Sequence, residues 1–225
     1  MHEEFQTVLR EHLARYPLME PQDCAKLAYQ STFGPAHAAG ERGDVLRQLL
    51  GECSALPADR EARPPERIVN GLCRVHLSGT GDWTLAAPLL ADLLLLTAAE
   101  HHGTAADLEE CLTAAEALPL PGMADWLAVY RRQGCPPVHH SPAYREAYDP
   151  HYRVLRTAYG GYFPALLAAA RLARSGRPAV VAIDGRCGSG KSGLGDLMGR
   201  LLPCNVVHMD DYYLPPDRRA ENWEQ

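Results

Sequence analysis

Residues 185–192, Gly-Arg-Cys-Gly-Ser-Gly-Lys-Ser, constrain this chain more than any other stretch. They match the spacing G-x-x-x-x-G-K-[ST], in which glycines let the backbone wrap an anion and turn several N–H groups inward. A helix starting at this point adds the positive end of its dipole. In such a loop the lysine reaches the β- and γ-phosphates of a nucleotide, and the hydroxyl ligates Mg²⁺. Gly185, Arg186, Cys187, Gly188, Ser189, Gly190, Lys191 and Ser192 are therefore the candidate binding loop for ATP and Mg²⁺. The flanks suit it: Ala179–Ile183 is a continuous apolar run of the kind that forms a strand buried on both faces. After the loop, a helix from Lys191 to Leu202 carries Leu194, Leu197, Met198 and Leu201 on one side. Gly193, Gly195 and Gly199 each cost that helix up to about 1 kcal/mol relative to alanine, which packing or bound nucleotide must offset. Lysine itself is rare: of 22 basic residues only Lys26 and Lys191 are lysines, so their positions are informative.

Pro203 breaks the helix, and Asn205–Met209 reads as a second strand leading into Asp210-Asp211-Tyr212-Tyr213-Leu-Pro-Pro. Strand, loop, helix, strand is the opening order of an α/β domain with a parallel sheet. Ligands of such sheets gather beyond the carboxyl ends of the strands, so Asp210 is expected to face the phosphate loop. A carboxylate placed there takes the proton of an attacking hydroxyl, or holds the metal through water. The plainer reading is that Asp210 or Asp211 caps a turn.

VAIDGRCGSGKS followed by LLPCNVVHMDDYYLPP resembles the P-loop nucleoside kinases of the uridine kinase and nicotinamide riboside kinase type. The resemblance covers about residues 178–216. It implies that Asp210 is the base for a sugar hydroxyl, with Lys191 at the transferring phosphate and Asp211 and Tyr212 near the acceptor. It also implies strands, a base-recognition segment and an arginine-bearing lid that have no counterpart before Gln225. The expectation is a mainly α domain over residues 1–175, followed at 176–225 by the truncated start of an α/β P-loop domain. Alone, that piece is expected to phosphorylate nothing efficiently. Two other functions fit the same loop: a regulatory module that binds nucleotide without turnover, and an ATPase or GTPase unrelated to kinases.

Residues 1 to about 175 read as helix after helix. Leu9, Leu13 and Tyr16 mark one face of the first, which stops at Pro17; Pro21 opens a second, ended by Gly34-Pro35. A third starts at Gly43 or Asp44. Pro57–Glu66 is a proline-rich polar loop, and Ile68–Leu77 is ambiguous between strand and helix. Thr84–His101 is the most apolar helix, and Thr104 with Asp107 has the form of a capping box. Pro121, Ser141-Pro142 and Asp149-Pro150 look like further helix starts. A last helix, Tyr162–Ser175, ends at Gly176. LAYQSTFGPAHA, GLCRVHLS and HHSPAYREAYDPHYRVL resemble a helical region found ahead of uridine-kinase-like domains in bacterial proteins, a resemblance that names no chemistry. His37, Arg74, His76, His140, Tyr144, Tyr148, Tyr152 and Arg153 are its candidate polar groups. They read either as a pocket for a small anionic or aromatic ligand or as an inter-helix seam of amphipathic tyrosines.

A net charge of −6 argues against a chain whose main partner is nucleic acid. Seven cysteines without a C-x-x-C pair suit reduced thiols better than a disulfide framework or zinc ribbon. The N-terminus is no signal peptide. The apolar stretch 85–99 falls short of the roughly 20 residues a bilayer needs, so a membrane partner is not expected and the compartment is expected to be cytoplasmic. The partner that remains is a small-molecule phosphoryl acceptor.

Overall fold

Proline and capping residues set where the helices begin in the computed structural model of this chain, which describes residues 2–57, 61–78 and 82–212. Helix α1 (His2–Arg15) stops ahead of Pro17, and α2 (Pro21–Phe33) opens with a proline whose missing N–H is no loss in a first turn. A 3₁₀ turn (Ala36–Ala38) leads to α3 (Arg42–Ala55). Helix α4 (Trp83–Glu100) is capped by Asp82, which accepts from the Thr84 N–H at 3.0 Å. Helix α5 (Ala105–Glu116) has the expected reciprocal cap between Thr104 and Asp107. Helices α6 (Met123–Arg132) and α7 (Pro142–Tyr148) follow, the latter capped by the Ser141 hydroxyl. Two more are α8 (Thr157–Arg174) and α9 (Lys191–Leu201).

Helix α4 is long and apolar enough to cross a bilayer by length and composition. Its Ala86, Leu90, Leu93 and Leu94 are instead buried inside the fold, where the helix packs on α3.

Two stretches depart from the helical reading. Ile68–Leu77 resolves into a hairpin: Asn70 and Gly71 both take left-handed φ values, 59° and 68°, the geometry a two-residue turn requires. The turn joins β1 (Glu66–Arg67) to β2 (Leu72–His76). Asp149-Pro150 does not start a helix either. Asp149 ends α7 in a left-handed conformation, and the aromatic and β-branched run after it becomes β3 (Tyr152–Arg156). The order β1-β2-β3 is antiparallel throughout, with Arg74 opposite Glu66 on one side and Val154 on the other.

The chain divides into two units, Met1–Leu167 and Ala168–Gln225. In the first, Phe5, Leu9, Leu27, Leu72, Leu112 and Leu127 belong to one hydrophobic core. The sheet is covered on both faces. Leu72 approaches Gly34 at the end of α2, while Cys73 and Val75 on the opposite face meet Gly160 of α8.

In the second unit α9 is the expected helix, but the expected parallel sheet is overturned. Residues 179–183 and 205–208 form no strand and enter no ladder among the described residues, and Val180 is 96% exposed. An apolar β-branched run specifies what a segment would bury, yet a strand exists only when a neighbour takes its N–H and C=O groups. The architecture is mainly helical, with one small antiparallel sheet. What survives is close packing on α9. A Cβ on Gly199 would come within 2.8 Å of Val206 Cγ2, and one on Gly195 would touch Val206, Ile183 and His208 at 3.5–4.0 Å. Gly199 must be small for Val206 to pack there, while Gly195 faces both runs at ordinary contact distance.

Gly103, between α4 and α5, is held tighter still: a Cβ there would sit 2.0 Å from the Thr32 carbonyl oxygen of α2. Gly103→Ala must push two backbones apart. It is expected to lower the unfolding free energy of the first unit by about 2 kcal/mol or more in urea titrations.

Candidate functional site

The loop at 185–192 is a turn closed by its own lysine. Gly188 and Gly190 take φ values of 74° and 89°, which side-chain-bearing residues rarely adopt. Lys191 Nζ folds back to donate to the Gly185 carbonyl at 2.7 Å and the Arg186 carbonyl at 2.9 Å. The Ser189 N–H donates to Arg186 at 3.2 Å, and Asp184 accepts from the Gly185 N–H at 2.7 Å. The first helical turn closes only when the Leu194 N–H reaches the Gly190 carbonyl at 2.9 Å. The N–H groups ahead of it have no intrahelical acceptor, as at any helix start. A methyl group added at Gly188 would meet nothing within 4 Å, so the loop is open to solvent there. An ammonium, a helix start and an unobstructed glycine turn together fit an anion, and Ser192, in the first turn of α9, offers the hydroxyl a magnesium ion would use.

Asp210, Asp211 and Tyr212 lie in an exposed 3₁₀ turn, Met209–Tyr212, and Asp211 closes it through its N–H to the His208 carbonyl at 3.1 Å. Tyr213 and the prolines after it lie outside the described residues. Ile183 and His208 both approach Gly195 of α9, so the runs leading into Gly185 and Asp210 leave from the same helical face. Among the described residues no group of three His, Cys, Asp or Glu side chains forms a metal cluster.

The first unit contains a buried polar network. Arg74, only 1% exposed, donates from Nε and Nη2 to Gln30 Oε1 at 3.0 and 2.9 Å. Because a guanidinium can only donate, that atom of Gln30 is the oxygen. Arg74 also reaches Glu66 at 3.5 Å across the sheet and lies 4.7 Å from the centre of the Tyr152 ring. Buried Asp23 accepts from His140 Nδ1 at 2.7 Å, from the Ser141 N–H and hydroxyl at 3.0 and 2.7 Å, and from the Glu20 N–H at 3.0 Å. Burial pushes its carboxyl up, but these donors more than compensate and hold it below the usual carboxylate range. Burial keeps His140 neutral, pushing it down to about 4 against the Asp23 hydrogen bond. With Nδ1–H committed to Asp23, His140 Nε2 accepts from the Tyr152 hydroxyl at 2.6 Å. His12 behaves alike: burial and Arg74 push it down to about 4, Nε2 faces the Arg67 carbonyl at 3.2 Å, and Nδ1 is buried without a partner.

Beside this network is a cavity of about 270 Å³ lined by α2, α3, β3 and the segments at 35–38 and 139–150. Of the polar candidates expected from sequence, His37, His140, Tyr152 and Arg153 line it. Arg74 and Tyr144 support it from behind, since Tyr144 stacks on His140 at 4.1 Å. His76 makes an edge contact with the Tyr152 ring at 6.2 Å. Tyr148 belongs to a seam instead: it packs on Tyr16 at 5.0 Å and its oxygen accepts from the Leu18 N–H. Tyr144, Tyr148 and Tyr152 share no helix face, because the third is on a strand. Lys26, Gln30, Gln48, Glu52, His139 and Arg145 complete the polar lining without having been singled out for a site. The rarity of lysine pointed to Lys26; nothing in the sequence pointed to Asp23 or Glu66. Burial and the nearby Arg74 charge push Lys26 down to about 8, Asp23 opposing.

Comparison with protein-family models, with curated proteins and with solved structures finds no match to this chain.

The two neutral histidines make stability pH-dependent. Both ordinarily titrate near 6.5, and both titrate near 4 in the fold. Between those values the unfolded chain binds more protons, so stability is complete above about pH 6.5 and falls as pH drops toward 4. Each histidine contributes on the order of 3 kcal/mol to that loss. Urea midpoints measured across the window should fall with a slope approaching two protons, and His140→Gln should remove about half of the slope.

Proposed function

We propose that this chain binds ATP with Mg²⁺ at Gly185–Ser192 and serves phosphoryl transfer to a hydroxyl of a nucleoside-like small molecule, in the cytosol. The loop carries the reading: a glycine turn with left-handed residues, closed by the ammonium of Lys191 and running straight into a helix N-terminus. An arriving phosphate displaces the two carbonyls from Lys191 and takes over its positive charge, joined by the backbone N–H groups at the start of α9. Bound Mg²⁺ supplies charge neutralisation across the β- and γ-phosphates, with the Ser192 hydroxyl as its ligand from this chain.

Asp210 has the second role. A carboxylate beside the acceptor takes the hydroxyl proton as the oxygen bonds to the γ-phosphorus and the bond to the β-phosphate oxygen breaks. Asp210 follows a run that shares the α9 face with the run entering the loop, which supports this assignment. Asp211 and Tyr212, in the same exposed turn, are the acceptor-side residues of this reading. Seven free cysteines suit a reducing compartment.

The cavity of the first unit favours one second reading, in which nucleotide binding serves regulation without turnover. Lys191→Ala is expected to weaken ATP·Mg²⁺ binding about ten- to a hundredfold by calorimetry under either reading, the loss of a charge-assisted contact. Unchanged affinity would remove the loop assignment. Asp210→Asn separates the two readings. Transfer to nucleosides should fall about 10²- to 10⁴-fold while ATP affinity stays within about twofold. A variant that transfers as well as the parent makes the carboxylate structural.

A further inference from the structure

We propose that the cavity beside α2 is a second binding site, independent of the phosphate loop, for a small organic molecule carrying an oxyanion (a carboxylate or a phosphate ester), gripped by Lys26 and Gln30. The two side chains are four residues apart on α2, so they share one face of the helix, and both line the cavity.

Gln30 is only 4% exposed. Its oxygen is occupied by two N–H groups of Arg74, so its amide N–H groups are what it offers the cavity. Lys26 donates to the Val138 carbonyl at 2.9 Å and makes no ion pair among the described residues. One ammonium hydrogen thus has an acceptor in the protein, and two donors remain. The nearest buried carboxylate, Asp23, is already filled by its four donors.

The rest of the lining repeats the same one-sidedness. Lys26, Arg145 and Arg153 are cationic, and Glu52 is the only carboxylate. Glu52 accepts from Arg153 and from His151, each at 2.6 Å, so its charge is already answered by Arg153. What the cavity lacks is acceptors, and an oxyanion supplies them with a charge that compensates Lys26. Val45, Leu94 and Val154 give the remainder an apolar wall. A volume of about 270 Å³ suits a ligand of roughly ten to fifteen non-hydrogen atoms, at the small end of ligand pockets.

The two-lysine composition makes a direct test possible. Protein labelled at lysine Cε and Nζ gives two side-chain signals in a magnetic resonance spectrum, assigned with Lys191→Ala. Benzoate and inorganic phosphate are the probes, one for each oxyanion type. The Lys26 signal should shift saturably with at least one of them, with the same midpoint in Lys191→Ala; whichever probe saturates at lower concentration identifies the oxyanion. Lys26→Met keeps the apolar stem. Gln30→Glu keeps an acceptor for Arg74 while replacing the N–H donors with oxygen. Each should weaken binding about ten- to a hundredfold by calorimetry, with the thermal unfolding profile of the parent retained by at least one of them. A Lys26 signal that stays put, or drifts without saturating, with both probes overturns the site. So does unchanged affinity in a folded Lys26→Met or Gln30→Glu protein.

Discussion

A guanidinium sealed from water, Arg74, is what the first unit is organised around. A buried charge is tolerable only when its donors are used and its charge is answered. Arg74 meets both demands by drawing together three elements: Gln30 from α2, Glu66 from β1 and the Tyr152 ring from β3. Each of these then constrains something else. Gln30 has its amide orientation set, Glu66 pairs with Arg15 of α1, and Tyr152 donates to the histidine that Asp23 holds. Burying such a network adds little net stability by itself, but removing one member strands the others, so the arrangement specifies geometry more than it adds free energy. The cavity next to it shares three members of that network, Gln30, His140 and Tyr152.

The second unit rests on a different constraint, the closeness that glycine permits. Gly195 and Gly199 weaken α9 as an isolated helix, yet Gly199 lets Val206 come nearer than a side chain would allow. The same helix begins at the loop where Lys191 turns back on the carbonyls it follows. Loop closure and helix packing are thus two ends of one eleven-residue element.

Legibility in the sequence followed the range of the interaction. Capping at Thr104 and Ser141, the proline at the start of α2 and the stop before Pro17 depend on neighbours within a turn, and each is where the residues imply. The Asn70-Gly71 hairpin was equally local and equally readable, since both positions need left-handed φ, but the apolar run around it obscured the turn. Residues 152–156 failed for another reason. Asp149-Pro150 carries a helix-start signal, while β2 supplies a strand partner from far along the chain, and pairing decided the outcome. Residues 179–183 failed in reverse: the strand signal is strong and no ladder partner exists among the described residues.

By itself the sequence determined the positions of most helices, the glycine turn at 185–192 and the rarity of lysine, because these depend on backbone preference and residue identity over a few positions. Only the tertiary structure decided that Lys26 and Gln30 share a cavity wall, that Asp23 fixes His140, and that Arg74 answers Glu66. Asp23 and His140 lie 117 residues apart and Arg74 reaches Gln30 across 44, and what brings them together is the need of buried donors and charges to find partners once water is gone.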